Sequence, residues 1–340
     1  QQDGDYFLTS LLIHPLASTD VNSSKVHVES YTRQKKQFQF KTRKSEIGGD
    51  ISIAYSIELR GRRYIAFLNA DAMGKSIQGA GGAIVIGTVF KSLVTRTHID
   101  PTAQVRSPER WLKDCFKELQ DVFCSFDGSM LISAVIGLLE EDSGFLLILN
   151  AEHPWSVLFR DGKASFLEEE LMLRKLGVDG FDSGFRLRKY QLQPGDVLLL
   201  GSDGRDDVLL PGKNGPEFNE DHFLFLEHVN RARGELQTIV DSISSAGEIT
   251  DDLSLLRIGY LEDPPINGIS TVEERKTEAF QLMDRAEAIA ATEFREATRI
   301  ALDATAKYPV DDELFFRAAQ LLASEPSSMD ASLAARDLSE

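Results

Sequence analysis

Between about residues 35 and 260 one pattern recurs: short apolar runs, each closed by a tight-turn signal. Runs and turns at this spacing read as hairpins rather than βαβ crossovers, so the sheet is expected to be largely antiparallel. Candidate strands are 37–42, 51–59, 63–69, 131–139, 144–150, 155–160, 187–192, 196–201 and 253–258. Arg60-Gly61, Ser143-Gly144, Asp161-Gly162 and Pro194-Gly195 supply the backbone freedom or preset φ that reversals need.

Helices interrupt this pattern in three places. Gly79 to Thr95 is apolar and Gly-rich, which predicts a helix buried on several sides, since small residues let another backbone approach. Ser107-Pro108-Glu109 is a helix start, with an N-cap, Pro at the first helical position and an acid facing the dipole. Trp111, Leu112, Cys115, Phe116, Leu119, Val122 and Phe123 then repeat at helical spacing, which makes packing the expected role of both Cys115 and Cys124. A third helix is expected over Asp221 to Ser244, with Phe223, Leu226, Val229, Ile239 and Val240 inward.

Composition changes at Leu261-Glu262-Asp263-Pro264-Pro265, which reads as a linker. Beyond it lie three helical stripes: Ala279, Leu282, Met283, Ala286; Phe294, Ala297, Ile300, Ala301, Ala304; and Leu314, Phe315, Ala318, Leu321. Tyr308-Pro309 is expected to close the second helix. The tail resembles a tetratricopeptide-type repeat plus one further helix, although its aromatic positions match poorly, and a plain helical hairpin is an equal reading. The chain thus divides into a lead-in segment (1–34) that could link to an upstream sensor domain, a main domain (35–262), and a linker with a helical tail (263–340). The first residue is not Met, which suggests excision from a longer chain.

The formal net charge is −17 over 340 residues. Acidity of this size opposes nucleic-acid phosphate and anionic lipid, so no nucleic-acid partner is expected. The one basic stretch runs from Arg33 to Lys44, with six basic residues and no acid. No apolar run reaches the ~18–20 residues of a membrane span. Cys115 and Cys124 lack any metal-binding or disulfide context, and a reducing, cytoplasmic setting is expected.

Four Asp residues occupy strand ends or turns: Asp50, Asp71, Asp203 and Asp251. Asp beside Gly is common turn chemistry, so each alone would more often be structural. Together they are an all-oxygen donor set that suits Mg²⁺ or Mn²⁺, and two such ions about 3.5–4 Å apart can generate hydroxide and clamp a phosphoryl group.

Five strings occur in order here: GGD at 48–50, DAMG at 71–74, NAEHP at 150–154, LQPGDVLLLGSDG at 192–204 and DDLSLL at 251–256. In this order and spacing the chain resembles the PPM-type metal-dependent Ser/Thr protein phosphatases of the bacterial SpoIIE branch. That resemblance implies an α+β fold of two packed antiparallel sheets flanked by helices, with two Mn²⁺ or Mg²⁺ ions at one end. It further implies that Asp71 bridges the ions, Asp203 and Asp251 complete one, and Asp50 and the Ala72 carbonyl serve the other. Asp207 would serve an accessory ion. A water between the metals would attack the phosphorus directly, without a phosphoenzyme. The substrate would be a phosphorylated regulatory protein, of anti-sigma-factor-antagonist type, in partner-switching signalling, and homodimerisation is open.

Departures from the family pattern fall beside the ligands. Gly74-Lys75-Ser76 stands where many relatives have Gly-His-Gly, and NAGHP has become NAEHP with Glu152. Neither touches a proposed ligand, so substrate choice is the property they bear on. Lys75, Lys41 and Arg43 are the candidate substrate-binding residues, the last two by alternation along one strand, against a reading of both as a solvated edge. His153, preceding Pro at a strand end, is weighted towards a structural role over a general acid. The competing function is a catalytically silent, phosphoprotein-binding regulatory or scaffold module.

Overall fold

The computed structural model describes residues 2–170, 174–179, 187–212, 215–262, 272–290, 292, 294–307 and 312–323. The chain opens with α1 (Gln2–Ile13), β1 (Thr19–Asp20), β2 (Val26–Arg33), β3 (Lys36–Phe40), β4 (Arg43–Ile47), β5 (Asp50–Leu59) and β6 (Arg62–Ala72). Next come α2 (Ile77–Ile99), α3 (Pro101–Gln104), α4 (Pro108–Cys124), β7 (Ile132–Glu140), β8 (Phe145–Ala151), β9 (Val157–Arg160) and β10 (Lys163–Phe166). Then follow β11 (Arg188–Gln191), β12 (Asp196–Gly201), β13 (Val208–Gly212), β14 (Gly215–Phe218), α5 (Leu224–Ala232), α6 (Leu236–Ala246), β15 (Glu248–Ile249) and β16 (Leu253–Tyr260). The last helices are α7 (Val272–Ile289), α8 (Phe294–Lys307) and α9 (Asp312–Ala323).

The chain divides into two compact units, the first comprising Gln1–Glu141, Leu147–Arg188 and Pro194–Glu262. It is a sandwich of a six-stranded sheet, β1-β5-β6-β7-β8-β11, and a five-stranded sheet, β10-β9-β12-β16-β2. The central strands pair antiparallel, β5 with β6, β6 with β7 and β12 with β16, and the two-residue β1 pairs parallel to β5. The central strands are covered on both faces: Ile51, Ile53, Ile65 and Phe67 are buried in one sheet and Leu198, Leu200, Leu256 and Ile258 in the other, and so are the residues between them, Ala66 and Leu199 among them. β2 and β16 face β5, which closes the core, while α2 and α4 cover one sheet and α5 and α6 the other.

The α4 start follows its sequence: the Ser107 hydroxyl accepts from Arg110 N at 3.2 Å, and Cys115 is buried in the apolar stripe. α2 reaches the length and hydropathy of a membrane span, yet half of that stretch is buried, and it packs on β5 and β6 as a core helix.

Three expectations need correction. Residues before 35 are built into the sandwich: β2 pairs along all of β16, from Val26↔Tyr260 to Arg33↔Leu253. The strand's half-polar composition hid it, because one of its faces is partly solvated. The helix expected over Asp221 to Ser244 is two helices. Arg233 ends α5 in the left-handed region (φ 53°) and Gly234 (φ 77°) turns the chain into α6, leaving Phe223 ahead of α5 and exposed. Lys41 is in the turn of the β3–β4 hairpin (φ 55°), so the strand alternation that paired it with Arg43 does not hold.

The second unit comprises Asp142–Leu146, Lys189–Gln193 and Asp263–Glu340. Its helices share their own core, in which Ala279, Met283, Ala297, Ile300, Leu314 and Ala318 are buried, as the three stripes predict. The Lys189 ammonium sits 4.5 Å from the Phe315 ring centroid. The expected helix stop at Tyr308-Pro309 and the Pro264-Pro265 linker lie outside the described residues.

Candidate metal centre

Asp50 opens β5, Asp71 lies one residue from the end of β6, and the register sets them directly opposite. Side chains so placed have Cβ atoms about 4.5–5.5 Å apart, and like charges there repel. The second sheet contributes Asp203, which follows β12 in a 3₁₀ turn (Asp203–Arg205), and Asp251 and Asp252 just before β16.

Ser202 ties the two sheets together. Its Oγ donates to Asp50 Oδ2 at 2.5 Å and accepts from Ser254 N at 2.9 Å. The Asp252 carboxylate accepts from Lys35 N at 2.6 Å and Gly49 N at 2.9 Å, and Gln34 Nε2 donates to the Asp50 carbonyl at 2.8 Å. The loop can come this close only because Gly49 lacks a side chain: a Cβ there would lie 2.4 Å from the Ala72 carbonyl oxygen. At Gly79, near the start of α2, a Cβ would lie 2.4 Å from the Gly74 oxygen and 3.1 Å from Gly49.

Burial and mutual repulsion raise the pKa values of Asp50, Asp71 and Asp203. Burial, then Asp71, pushes the Asp50 carboxyl well up against the Ser202 hydrogen bond. Burial, then Asp203, lifts Asp71 to about 7, against the opposing charge of Lys175. Burial, then Asp207 and Asp251, lifts Asp203 to about 6. Asp207 is itself raised by burial and by Asp251, and its carbonyl accepts from Thr250 N at 2.9 Å and Thr250 Oγ1 at 3.0 Å.

This chemistry fits a hard divalent cation. Asp50 Oδ1 is buried without a hydrogen-bond partner among the described residues, so one carboxylate oxygen has its electron pairs uncommitted. Among the described residues no three His, Cys, Asp or Glu side chains close into an assembled cage. The acids gather at one end of the sandwich, near enough for their charges to act on one another. Asp50, Asp71, Ala72, Asp203, Asp251 and Asp207 all belong to that gathering. Lys75 is exposed in the turn before α2, whereas Lys41 and Arg43 flank the hairpin's tip, four pairs along from Lys36↔Ile47 at its base.

Behind the acids runs a buried polar spine. His153 Nε2 donates to Asn69 Oδ1 at 2.8 Å, its Nδ1 accepts from Ser133 Oγ at 2.9 Å, and Asn69 Nδ2 donates to Ser52 Oγ and Ser254 Oγ, each at 2.9 Å. Burial, reinforced by Arg205 and Lys175, lowers the His153 pKa to about 3, so the ring is neutral and both its nitrogens are committed to this spine. Glu152 keeps the left-handed backbone (φ 53°) that the family's Gly would adopt without strain, and its carboxylate pairs with Arg174 Nε at 3.1 Å.

Sequence reasoning missed Ser202, Asp252, Gln34 and Lys175. The first two stand inside the recognised strings GSDG and DDLSLL, so a signal existed; Gln34 and Lys175 carry none, since only folding brings them near the acids.

Comparison with curated sequences finds no match. Solved structures of the same fold include the RsbU and RsbW domains of Rv1364c from Mycobacterium tuberculosis, at 18% identity and TM-score 0.53, covering 86% of this chain and 76% of that one. The SiaA PP2C domain of Pseudomonas aeruginosa aligns at 16% identity and TM-score 0.53, over 76% of this chain and 95% of that one. The PP2C phosphatase domain with a regulatory fragment of SpoIIE from Bacillus subtilis aligns at 15% identity and TM-score 0.50, over 70% and 64%. The family model for Stage II sporulation protein E (SpoIIE) matches residues 61–260, from the β6 hairpin to the end of β16 and more than half of the chain. The chain therefore belongs to the SpoIIE family of PP2C-like protein phosphatases.

Proposed function

We propose that this phosphatase hydrolyses phosphoserine or phosphothreonine on a regulatory protein, of anti-sigma-factor-antagonist type, in cytoplasmic partner-switching signalling. The observation that carries the chemistry is the meeting of Asp50 and Asp71 from one sheet with Asp203 and Asp251 from the other, around an Asp50 oxygen without a partner.

Asp71 would bridge two Mn²⁺ or Mg²⁺ ions, Asp203 and Asp251 would complete one, and Asp50 with the Ala72 carbonyl would complete the other. Asp207 would take an accessory ion. When bound, such ions acidify water and neutralise charge on a phosphoryl group. Ser202 and Gln34 hold Asp50 in place, Asp252 anchors the loop before it, and the His153–Asn69 spine keeps the two sheet ends in register. A regulatory substrate is in keeping with the similar structures, which are described as RsbU and RsbW domains and as a cell-fate determinant.

The test is phosphate release from p-nitrophenyl phosphate and from a phosphothreonine peptide, with Mn²⁺, with Mg²⁺ and with chelator. Turnover should need the metal, and Asp203→Asn should abolish it while the protein stays folded. Undiminished turnover in that variant, with the same metal dependence, would remove the ligand assignment. Retention of a phosphoprotein without any release would favour the silent binding module.

A further inference from the structure

A phosphate ester approaching this site meets an electrostatic problem. Two divalent cations carry +4, and the carboxylates assigned to them (Asp50, Asp71, Asp203 and Asp251) carry −4, leaving no net charge to draw in a dianion before Asp207 and Asp252 are counted. Another cation is needed at the same end of the sandwich. Lys35 is engaged with the Thr250 carbonyl oxygen, and Lys41 and Arg43 belong to the hairpin tip.

Lys175 is placed differently. The residue after it, Leu176, exchanges two backbone hydrogen bonds with Ile132: Ile132 N to Leu176 O at 3.1 Å and Leu176 N to Ile132 O at 2.8 Å. Ile132 stands opposite Ala72, and Ser133 opposite Asp71, so this bridge carries the chain past the acid-bearing end of β6. Gln120 of α4 clamps the next two residues, accepting from Gly177 N at 3.0 Å and donating to Val178 O at 2.8 Å. Arg174 turns aside to Glu152. Lys175 makes no hydrogen bond or ion pair among the described residues, yet its charge reaches Asp71 on one sheet, Asp203 on the other and His153 between them.

We propose that Lys175 is a substrate-binding residue whose ammonium contacts the phosphoryl oxygens of the substrate, held over the acid cluster by the Leu176–Ile132 bridge and the Gln120 clamp. This assignment rests on the reading of the cluster as a metal-dependent phosphatase centre. A compact ammonium on a flexible stem suits this task, because it can follow the phosphoryl group from substrate to product.

The experiment uses the full chain with saturating Mn²⁺ and compares wild type, Lys175→Gln and Lys175→Arg. Substrates are p-nitrophenyl phosphate and a phosphothreonine peptide, inorganic phosphate serves as competitive inhibitor, and Mn²⁺ affinity is read by calorimetry. Lys175→Gln should raise KM for both substrates and the inhibition constant of phosphate together, by about ten- to a hundredfold, with kcat changed much less. Lys175→Arg should restore most of the loss, and Mn²⁺ should bind Lys175→Gln at least as tightly as wild type. Unchanged KM and phosphate inhibition in Lys175→Gln would overturn the assignment. So would a fall in kcat and Mn²⁺ affinity at constant KM, which would make Lys175 an organiser of the acids. A wild type that releases no phosphate with either metal would instead defeat the phosphatase reading itself, and this assignment with it.

Discussion

Replacing Asp71 by Asn should stabilise the metal-free protein while destroying its activity. Asp71 faces Asp50 across the β5–β6 hairpin, and burial followed by Asp203 lifts its pKa from 3.8 to about 7. An acid whose folded pKa lies above its unfolded one binds more protons when folded, so stability falls as pH rises through that window. The loss begins near pH 4 and is complete above about pH 7. The full difference corresponds to about 4 kcal/mol as an upper bound. Asp71 is partly exposed, so solvent and local relaxation reduce it, and Asn adds its own amide burial; a net gain of about 1–3 kcal/mol is expected. Urea unfolding in chelator at pH 4, 6 and 8 measures it. Asp71→Asn should exceed wild type at pH 8 and converge with it near pH 4. With saturating Mn²⁺ the order should reverse, because only wild type gains the full ligand-binding contribution. A gain that is absent at pH 8, or equally large at pH 4, would refute the argument that burying an ionised carboxylate here, beside Asp203, strains the fold.

Glu152→Gly should raise stability by up to about 1 kcal/mol, since it removes left-handed strain at φ 53° and forfeits only an exposed ion pair with Arg174; a loss of more than about 1 kcal/mol on denaturation would show that the pair matters. Gly49→Ala places a methyl group 2.4 Å from the Ala72 oxygen, so it should cost about 1–3 kcal/mol and weaken Mn²⁺ binding, read by calorimetry, and unaltered binding would remove Ala72 from the ligand set. Truncation after Glu262 should leave turnover of p-nitrophenyl phosphate intact, because the helices α7, α8 and α9 have a core of their own, and loss of that turnover would make them part of the catalytic fold.

Local rules made much of this protein legible before folding. Short apolar runs closed by tight turns located β5 to β9, β12 and β16, because a strand covered on both faces is written as a run of its own apolar residues. Ser107-Pro108 announced α4 through an interaction spanning three residues. The acids were legible as motif members, since each stands at a strand end beside a turn.

What the tertiary structure alone decided are pairings between distant parts of the chain. β2 becomes a partner of β16 more than two hundred residues away, and its half-polar composition does not name that neighbour. Asp50 and Asp71 face each other because of a register, and Ser202 reaches Asp50 because two sheets end at the same level. Lys175 comes to the acids through the Leu176–Ile132 bridge and the Gln120 clamp, neither of which has a local pattern. Side-chain period determines which way a residue points, but the neighbour it meets there depends on chain closure over long distances, and so do the charge and burial that set the chemistry of this site.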